Sequence, residues 1–239
     1  MNTLFISDLH LSGERENITK LFIDFLEQKA SKADALYILG DLFEVWPGDD
    51  MIQPDYNKSI SKMKQLADNG LPLYIMQGNR DFLMAEEFAK VSGVTLIEDP
   101  TVIDLYGTPT LLMHGDTLCT DDIDYQKFRA MVRDPRWKTD FLSKSKEERL
   151  AMTKKYRQIS KNETAKKAMD IMDVNQNAVE AVISENNVTQ LIHGHTHRPA
   201  IHDFSVNKKE IKRIVLGDWF EKGSVLVCNE VGCQLESFK

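Results

Sequence analysis

Cysteine is scarce in this chain of 239 residues, with only Cys119, Cys228 and Cys233 present. Three is too few and too odd a number for a disulfide framework. Cys228 and Cys233 are placed to face each other across a hairpin, but free buried thiols are the expected state. Long apolar runs are missing as well: none approaches the roughly 18 residues that cross a bilayer. The opening stretch Met1–Ile6 carries no basic region or cleavage site, so no signal peptide is expected. Together these absences point to a cytoplasmic location. There is no surplus of positive charge either. At a net charge of −7 the chain is ill suited to general nucleic-acid binding, which needs excess Lys and Arg to neutralise phosphates. No internal repeat stands out, which argues against a solenoid or propeller.

What is present is an ordinary globular balance, 42% hydrophobic and 28% charged. The length suits one domain over residues 1–239, or one domain with an insertion. Charge is unevenly spread. Asp124–Lys167 holds fourteen Lys/Arg against six Asp/Glu, leaving sixteen against thirty-one elsewhere.

The hydrophobic pattern alternates between strands and helices at first. Strands are expected at Thr3–Ile6, Ala35–Leu39 and Leu73–Met76, with helices over Glu16–Lys29, Tyr56–Asn69 and Ala85–Val91. Gly70 and Gly93 read as helix stops. Shorter strands follow at Thr95–Ile97, Thr101–Leu105 and Thr110–Met113. From Asp122 to about Asn186 only amphipathic helical segments appear (Tyr125–Arg133, Glu147–Met172, Asn175–Asn186), broken at Asp134-Pro135. Strands resume at Gln190–Ile192, Ile214–Leu216, Ser224–Cys228 and Cys233–Ser237. The expected fold is an α/β sandwich of mixed sheets flanked by helices, with a helical insertion over about residues 122–172.

Five expected strand ends carry chemistry: Asp8 with His10, Asp41, Asn79, His114, and His195 with His197. Open α/β sheets gather ligands at such ends. Alternate residues of an extended segment point the same way, so Asp8 with His10, and His195 with His197, each read as a pair reaching one ion. Imidazole and oxygen donors together suit Mn²⁺, Fe²⁺ or Zn²⁺ rather than Ca²⁺. Seven donors exceed what a single catalytic ion needs, and two ions sharing one carboxylate use them naturally. Singly, each motif reads as a turn. The span His193–His202 is stronger, because it holds four of the six histidines.

The series Asp8-x-His10, Gly40-Asp41, Gly78-Asn79, His114 and Gly194-His195-x-His197 resembles that of the calcineurin-like metallophosphoesterases. Most of that superfamily has Gly-Asn-His where this chain has Gly78-Asn79-Arg80-Asp81. Longer blocks, among them residues 33–44, 114–122, 171–177 and 191–199, resemble one branch, the UDP-2,3-diacylglucosamine hydrolase family of lipid A biosynthesis. The resemblance covers nearly the whole chain and is weakest in Asp134–Lys155 and after Ile201.

The resemblance implies a two-sheet metallophosphoesterase sandwich with a helical lid. It also implies two Mn²⁺ per subunit. One would be bound by Asp8, His10, Asp41 and His197, the other by Asp41, Asn79, His114 and His195. The substrate implied is UDP-2,3-diacylglucosamine, cut by metal-activated water at the uridine-side phosphorus to give UMP and 2,3-diacylglucosamine 1-phosphate. Substrate contacts are implied for Asn79, Arg80, Asp122, Ser160, Lys167 and His195; Thr164 stands where relatives often have asparagine. A monomer is expected, peripheral to the cytoplasmic face of the inner membrane, with no nucleic-acid partner. The basic block would face anionic lipid, and Phe128, Met131, Trp137, Phe141, Leu142, Met152 and Tyr156 would line an acyl cleft. Another nucleotide diphosphate as substrate is the alternative within the same chemistry. A non-catalytic scaffold on this fold is opposed by all seven donor positions being filled.

Overall fold

A computed structural model describes residues 2–164 and 171–239. Eleven strands form two mixed sheets among these residues. The first has the order β11-β10-β1-β2-β3-β4, and the second β5-β6-β7-β9-β8. Strands β1 (Thr3–Ile6), β2 (Ala35–Leu39), β3 (Leu73–Met76) and β4 (Thr95–Ile97) run parallel. The antiparallel hairpin of β10 (Gly223–Asn229) and β11 (Gly232–Phe238) extends their edge. In the second sheet β6 (Thr108–Met113), β7 (Gln190–His193) and β9 (Lys209–Val215) are parallel. There β5 (Thr101–Leu105) and β8 (Ala200–Val206) lie antiparallel at the edges.

Alternation along the strands sorts the core into three buried clusters. Phe5, Leu39, Met76, Leu112, Ile192 and Ile214 meet between the sheets. Ile6, Ile38 and Ile75 face the other way and pack beneath α1 (Glu16–Gln28), α2 (Asn57–Asp68) and α3 (Glu86–Ser92). Leu111, Leu191 and Ile211 meet Val179 and Ile183 of a helix outside the second sheet, at Gln176–Asn186. The result is four layers, helix–sheet–sheet–helix. Fully burying one such Ile or Leu stabilises the fold by roughly 1.5–3 kcal/mol. The parallel strands therefore all end on one rim, and the rim is where the candidate donors sit.

The inserted block comprises α4 (Ile123–Arg133), α5 (Pro135–Leu142) and α6 (Lys146–Thr164), with α7 as the outer-layer helix Gln176–Asn186. Asp122 caps α4 by accepting from the Tyr125 N–H at 3.1 Å. Asp134 caps α5, with Pro135 at its first position. Thus Asp134-Pro135 does break the helical run, but α5 follows at once where no separate helix was expected. Trp137 and Phe141 stack at 4.9 Å, and Phe141 is buried in the core cluster that includes Trp46 and Phe43. Arg149 is buried against the same loop, donating to Pro47 O (3.0 Å) and Asp50 Oδ1 (2.8 Å).

Three expectations need correction. Cys228 and Cys233 are not free thiols; they form a disulfide across β10 and β11, where they are direct register partners with Cα atoms 4.1 Å apart. Strand β8 was missed because exposed His202 interrupts the face carrying Ala200, Phe204 and Val206, and Ile201 lies on the exposed face, so no apolar alternation marks it. The helix expected to run from Glu147 to Met172 is described only as Lys146–Thr164, and residues 171–173 form a turn.

Candidate active site

The seven predicted donors converge on the rim where the two sheets meet. Asp8 and His10 follow β1, Asp41 follows β2, Asn79 follows β3, His114 follows β6, and His195 and His197 follow β7. Backbone hydrogen bonds stitch these loops together: Asp8 N–H to Gly40 O (3.1 Å), His10 N–H to Asp41 O (3.0 Å), and Gly194 N–H to His114 O (2.9 Å).

The paired residues converge by a different route from the one expected. Asp8, His10, Asp41, His195 and His197 all have positive φ, at 56°, 49°, 53°, 67° and 56°. Extended alternation is therefore not what aligns Asp8 with His10 or His195 with His197; left-handed turns are. Such conformations are rare in non-glycine residues and concentrate at functional sites. Glycine supplies the closeness: a Cβ on Gly40 would lie 2.4 Å from His114 Nδ1, and one on Gly78 would lie 2.3 Å from Asp41 N.

Asn79 Oδ1 is 2.9 Å from both His114 Nε2 and His195 Nδ1. On the other side, Asp8 Oδ1 is 3.3 Å from His197 Nε2. Asp41 faces both groups, with Oδ2 3.6 Å from His10 Nε2 and Oδ1 3.8 Å from His114 Nε2. Bonds of about 2.1 Å to a shared ion would put neighbouring donors about 3.0–3.4 Å apart.

Three of the four imidazoles are oriented from behind, the arrangement that fixes metal-binding rings. Leu39 O holds His114 Nδ1 at 2.9 Å, and Asp218 holds His197 Nδ1 at 3.2 Å. Glu44 Oε2 lies 2.8 Å from His10 Nδ1, an ion-pair contact rather than an aligned hydrogen bond. Asp8 Oδ2 accepts from Ser7 Oγ (2.5 Å) and His195 N–H (2.9 Å), so Oδ1 is the oxygen left over.

Electrostatics follow from charge packed without water. Burial disfavours protonation of His114, but Asp41, Asp116 and Asp8 outweigh it and raise its pKa to about 9. Burial also disfavours protonation of His197, but the carboxylates of Asp218 and Asp8 beside its ring outweigh it and raise its pKa to about 10. His195 is lowered to about 4 by burial and then by His114. Burial raises Glu44, but His10, Arg80 and Arg157 bring it down to about 2. Asp81 is raised to about 6 by burial and by Asp41. Cys119 is buried, and desolvation with nearby carboxylates pushes its thiol up to about 12, so it offers no thiolate near neutral pH.

A cavity of about 340 Å³ opens beside this cluster, under the inserted helices. Its lining includes Asn79, Arg80, Asp122 and Ser160 from the predicted substrate set, and Phe128, Trp137, Phe141 and Tyr156 from the predicted acyl set. Met131 and Leu142 instead lie exposed, and Met152 packs on the core. Arg80 donates its backbone N–H to Asp41 Oδ1 (2.8 Å), while its buried Nε has no partner. Of the remaining candidates, Thr164 ends α6, and Lys167 lies outside the described residues.

Sequence reading gave no role to several organising residues. Asp81 accepts from the N–H groups of Gly78 (2.8 Å), Phe43 (3.2 Å) and Asp41 (3.3 Å), locking the β2 and β3 loops together. Asp116 takes Tyr125 Oη and Arg129 Nε, both at 2.7 Å, tying α4 to the His114 loop. The signal for both was an acid two residues beyond a donor, in Asn79-Arg80-Asp81 and His114-Gly115-Asp116. For Asp218 it was Gly217-Asp218 after an apolar strand.

This rim of acids and imidazoles on a two-sheet sandwich is a phosphoesterase centre, and the calcineurin-like phosphoesterase family matches residues 1–199. The chain belongs to that family. It is 48% identical to a UDP-2,3-diacylglucosamine hydrolase of Stenotrophomonas maltophilia (strain K279a), over 99% of this chain and 98% of that one. Identity is 49% to the protein of the same name from Escherichia coli O7:K1, over 95% of this chain and 94% of that one. At such identity and coverage, the branch shared is that of the UDP-2,3-diacylglucosamine hydrolases. A hypothetical protein of Pyrococcus horikoshii OT3 is similar in fold, with a TM-score of 0.52 at 9% identity, over 100% of this chain and 88% of that one.

The family implies divalent metal ions, and the residues fit them. Asp8, His10 and His197 offer donor atoms within 4.8 Å of one another, as do Asp8, Asp41 and His114. Asp8 Oδ1 and His10 Nε2 are buried without a hydrogen-bond partner, a costly state that a cation would relieve.

Proposed function

We propose that this chain hydrolyses the pyrophosphate bond of UDP-2,3-diacylglucosamine to UMP and 2,3-diacylglucosamine 1-phosphate, in lipid A biosynthesis. The observation that carries this reading is the apolar cavity joined to the metal-donor cluster through Asn79 and Arg80. It pairs phosphate chemistry with room for acyl chains.

In this reading two Mn²⁺ are held, one by Asp8, His10, Asp41 and His197, the other by Asp41, Asn79, His114 and His195. Such ions supply Lewis acidity and make a water nucleophilic near neutral pH. Asp41 serves both sites because its two oxygens face the two donor groups. Asp218, Leu39 O and Glu44 hold His197, His114 and His10 in register. Arg80 directs its guanidinium at the phosphoryl oxygens, where negative charge grows during displacement. No proton donor is required at its position. The departing sugar phosphate ionises near pKa 6, by analogy with phosphoserine, and leaves as an anion. Asp122, Ser160, Thr164, Lys167 and His195 take the polar part of the substrate.

The inserted segment, about residues 122–172, acts as a lid whose aromatic lining receives the acyl chains. No helix among the described residues is long and apolar enough to cross a membrane. Lys154 and Lys155, with exposed Leu150 and Ile159, make α6 a surface for anionic lipid, worth roughly 1 kcal/mol per basic residue near the membrane. The protein then works as a monomer on the cytoplasmic face of the inner membrane.

The test is hydrolysis of UDP-2,3-diacylglucosamine with and without Mn²⁺ in ¹⁸O water. Mn²⁺-dependent turnover with label in UMP is expected. Label in the lipid phosphate, or no turnover, overturns the proposal.

A further inference from the structure

The lid cavity serves only one flank of the donor cluster. Its lining includes Glu44, Asn79, Arg80 and Tyr125, but not His197, Asp218 or Phe220. A substrate with two bulky halves on either side of a pyrophosphate needs a second flank, and the His197 side provides one.

Phe220 stands there, 59% exposed, with its ring centroid 6.2 Å from that of His197. The ring is also braced. The Arg15 guanidinium lies 4.9 Å from its centroid. That guanidinium is itself pinned by Leu9 O (3.0 Å), His10 O (3.2 Å) and Trp219 O. Trp219 is fully buried; its backbone N–H donates to Asp8 O (3.2 Å) and its Nε1–H to Ser224 O (3.0 Å). The mount is therefore bolted to the same loop that carries Asp8 and His10.

We infer that Phe220 is a stacking platform for the nucleobase of the substrate, giving the site its preference for a nucleoside half opposite the lipid half. This rests on the proposed reaction. A flat, anchored π-face suits a planar base, and the apolar cavity suits flexible chains. Base–aromatic stacking tolerates any base, so the platform selects for a base rather than for uracil as such.

The test uses the Mn²⁺-loaded full chain and titrates UMP and ribose 5-phosphate by calorimetry. UMP is expected to bind more tightly than ribose 5-phosphate. Phe220→Ala and Phe220→Leu should weaken UMP about tenfold and leave ribose 5-phosphate unchanged, while Phe220→Trp retains UMP. Matching thermal melts among the variants establish that each is folded. Unchanged UMP affinity in Phe220→Ala overturns the platform, and so does an equal loss of both ligands or a wild-type protein that does not distinguish them. These outcomes are separable from the reaction itself. Wild-type protein that fails to hydrolyse UDP-2,3-diacylglucosamine sinks the proposed function, whereas full turnover with an inert Phe220 sinks only this inference.

Discussion

The donor loops and the helices above them are held together by different means. In the loops, buried polar groups answer one another: Asp81 takes three backbone N–H groups and Asp8 Oδ2 takes two donors. The inserted helices are anchored by apolar packing at α5 and by a few charged contacts elsewhere. These include Arg129 to Asp116, Arg157 to Glu44, and Arg133 donating to Gly78 O (2.9 Å). The difference is one of construction, a rim locked by buried polar contacts beneath a roof held by apolar packing and ion pairs; in the proposed reading the first serves metals and the second substrate. Damage to the rim should abolish metal binding, and damage to the roof should change affinity for substrate.

The largest effect should come from Asp41→Ala. In the proposed reading Asp41 serves both ions, so its loss is expected to remove both metals and lower turnover by at least about a thousandfold. His114→Ala and His197→Ala should each weaken chiefly one ion. Elemental analysis of the purified variants separates these patterns; equal metal content across all three would break the shared-carboxylate assignment.

Next comes Asp81→Ala, which strands three backbone donors at about 1–3 kcal/mol each. A fall in melting temperature is expected even without metal, and an unchanged melt would show that the β2 and β3 loops hold without it.

Metal uptake should also carry a pH signature. His114 and His197, raised to about 9 and about 10, are protonated at pH 8 in the metal-free protein and must lose those protons to coordinate. Apparent affinity should therefore climb with pH and level off near 10. Binding heats should differ between buffers of different ionisation enthalpy, and identical heats would contradict this. Without metal, both folded pKa values exceed the ordinary 6.5. Their stabilising effect is then full below about pH 6.5 and lost as pH rises through 9 to 10.

The smallest effects belong to the roof. Arg129→Ala should raise KM a few-fold with metal content unchanged, because Tyr125 Oη still donates to the buried Asp116. Reversing Lys154 and Lys155 to Glu should lower co-sedimentation with anionic vesicles and leave hydrolysis of detergent-dispersed substrate intact. Metal loss in either variant would erase the distinction between rim and roof.

Much of the rim was legible in the sequence, because each donor follows a short apolar run that can only be a buried strand. The residues behind the donors were harder to read. Asp81 acts on loops 38 and 40 residues away, Asp218 on His197 and Asp116 on α4, so the acid following each donor motif shows its role only once those segments are brought together. The left-handed backbone at Asp8, His10, His195 and His197 was invisible for the same reason, since cross-loop hydrogen bonds impose it against local preference. Strand β8 escaped because one face is exposed and His202 interrupts the other, and α5 because eight residues give too little periodicity. The Cys228–Cys233 bridge depended on hairpin register, which a count of cysteines does not supply.

Arginine at position 80 has a consequence for the surroundings in which the proposed enzyme works. A centre that offers a fixed cation and no imidazole acid at this position favours departing groups able to carry their own charge. Glycerophospholipids are joined through alkoxide-like esters whose departure needs a proton. Their acyl chains would suit the apolar cavity as well as those of the proposed substrate. In the proposed reading leaving-group acidity, rather than shape, is then what spares such lipids from hydrolysis.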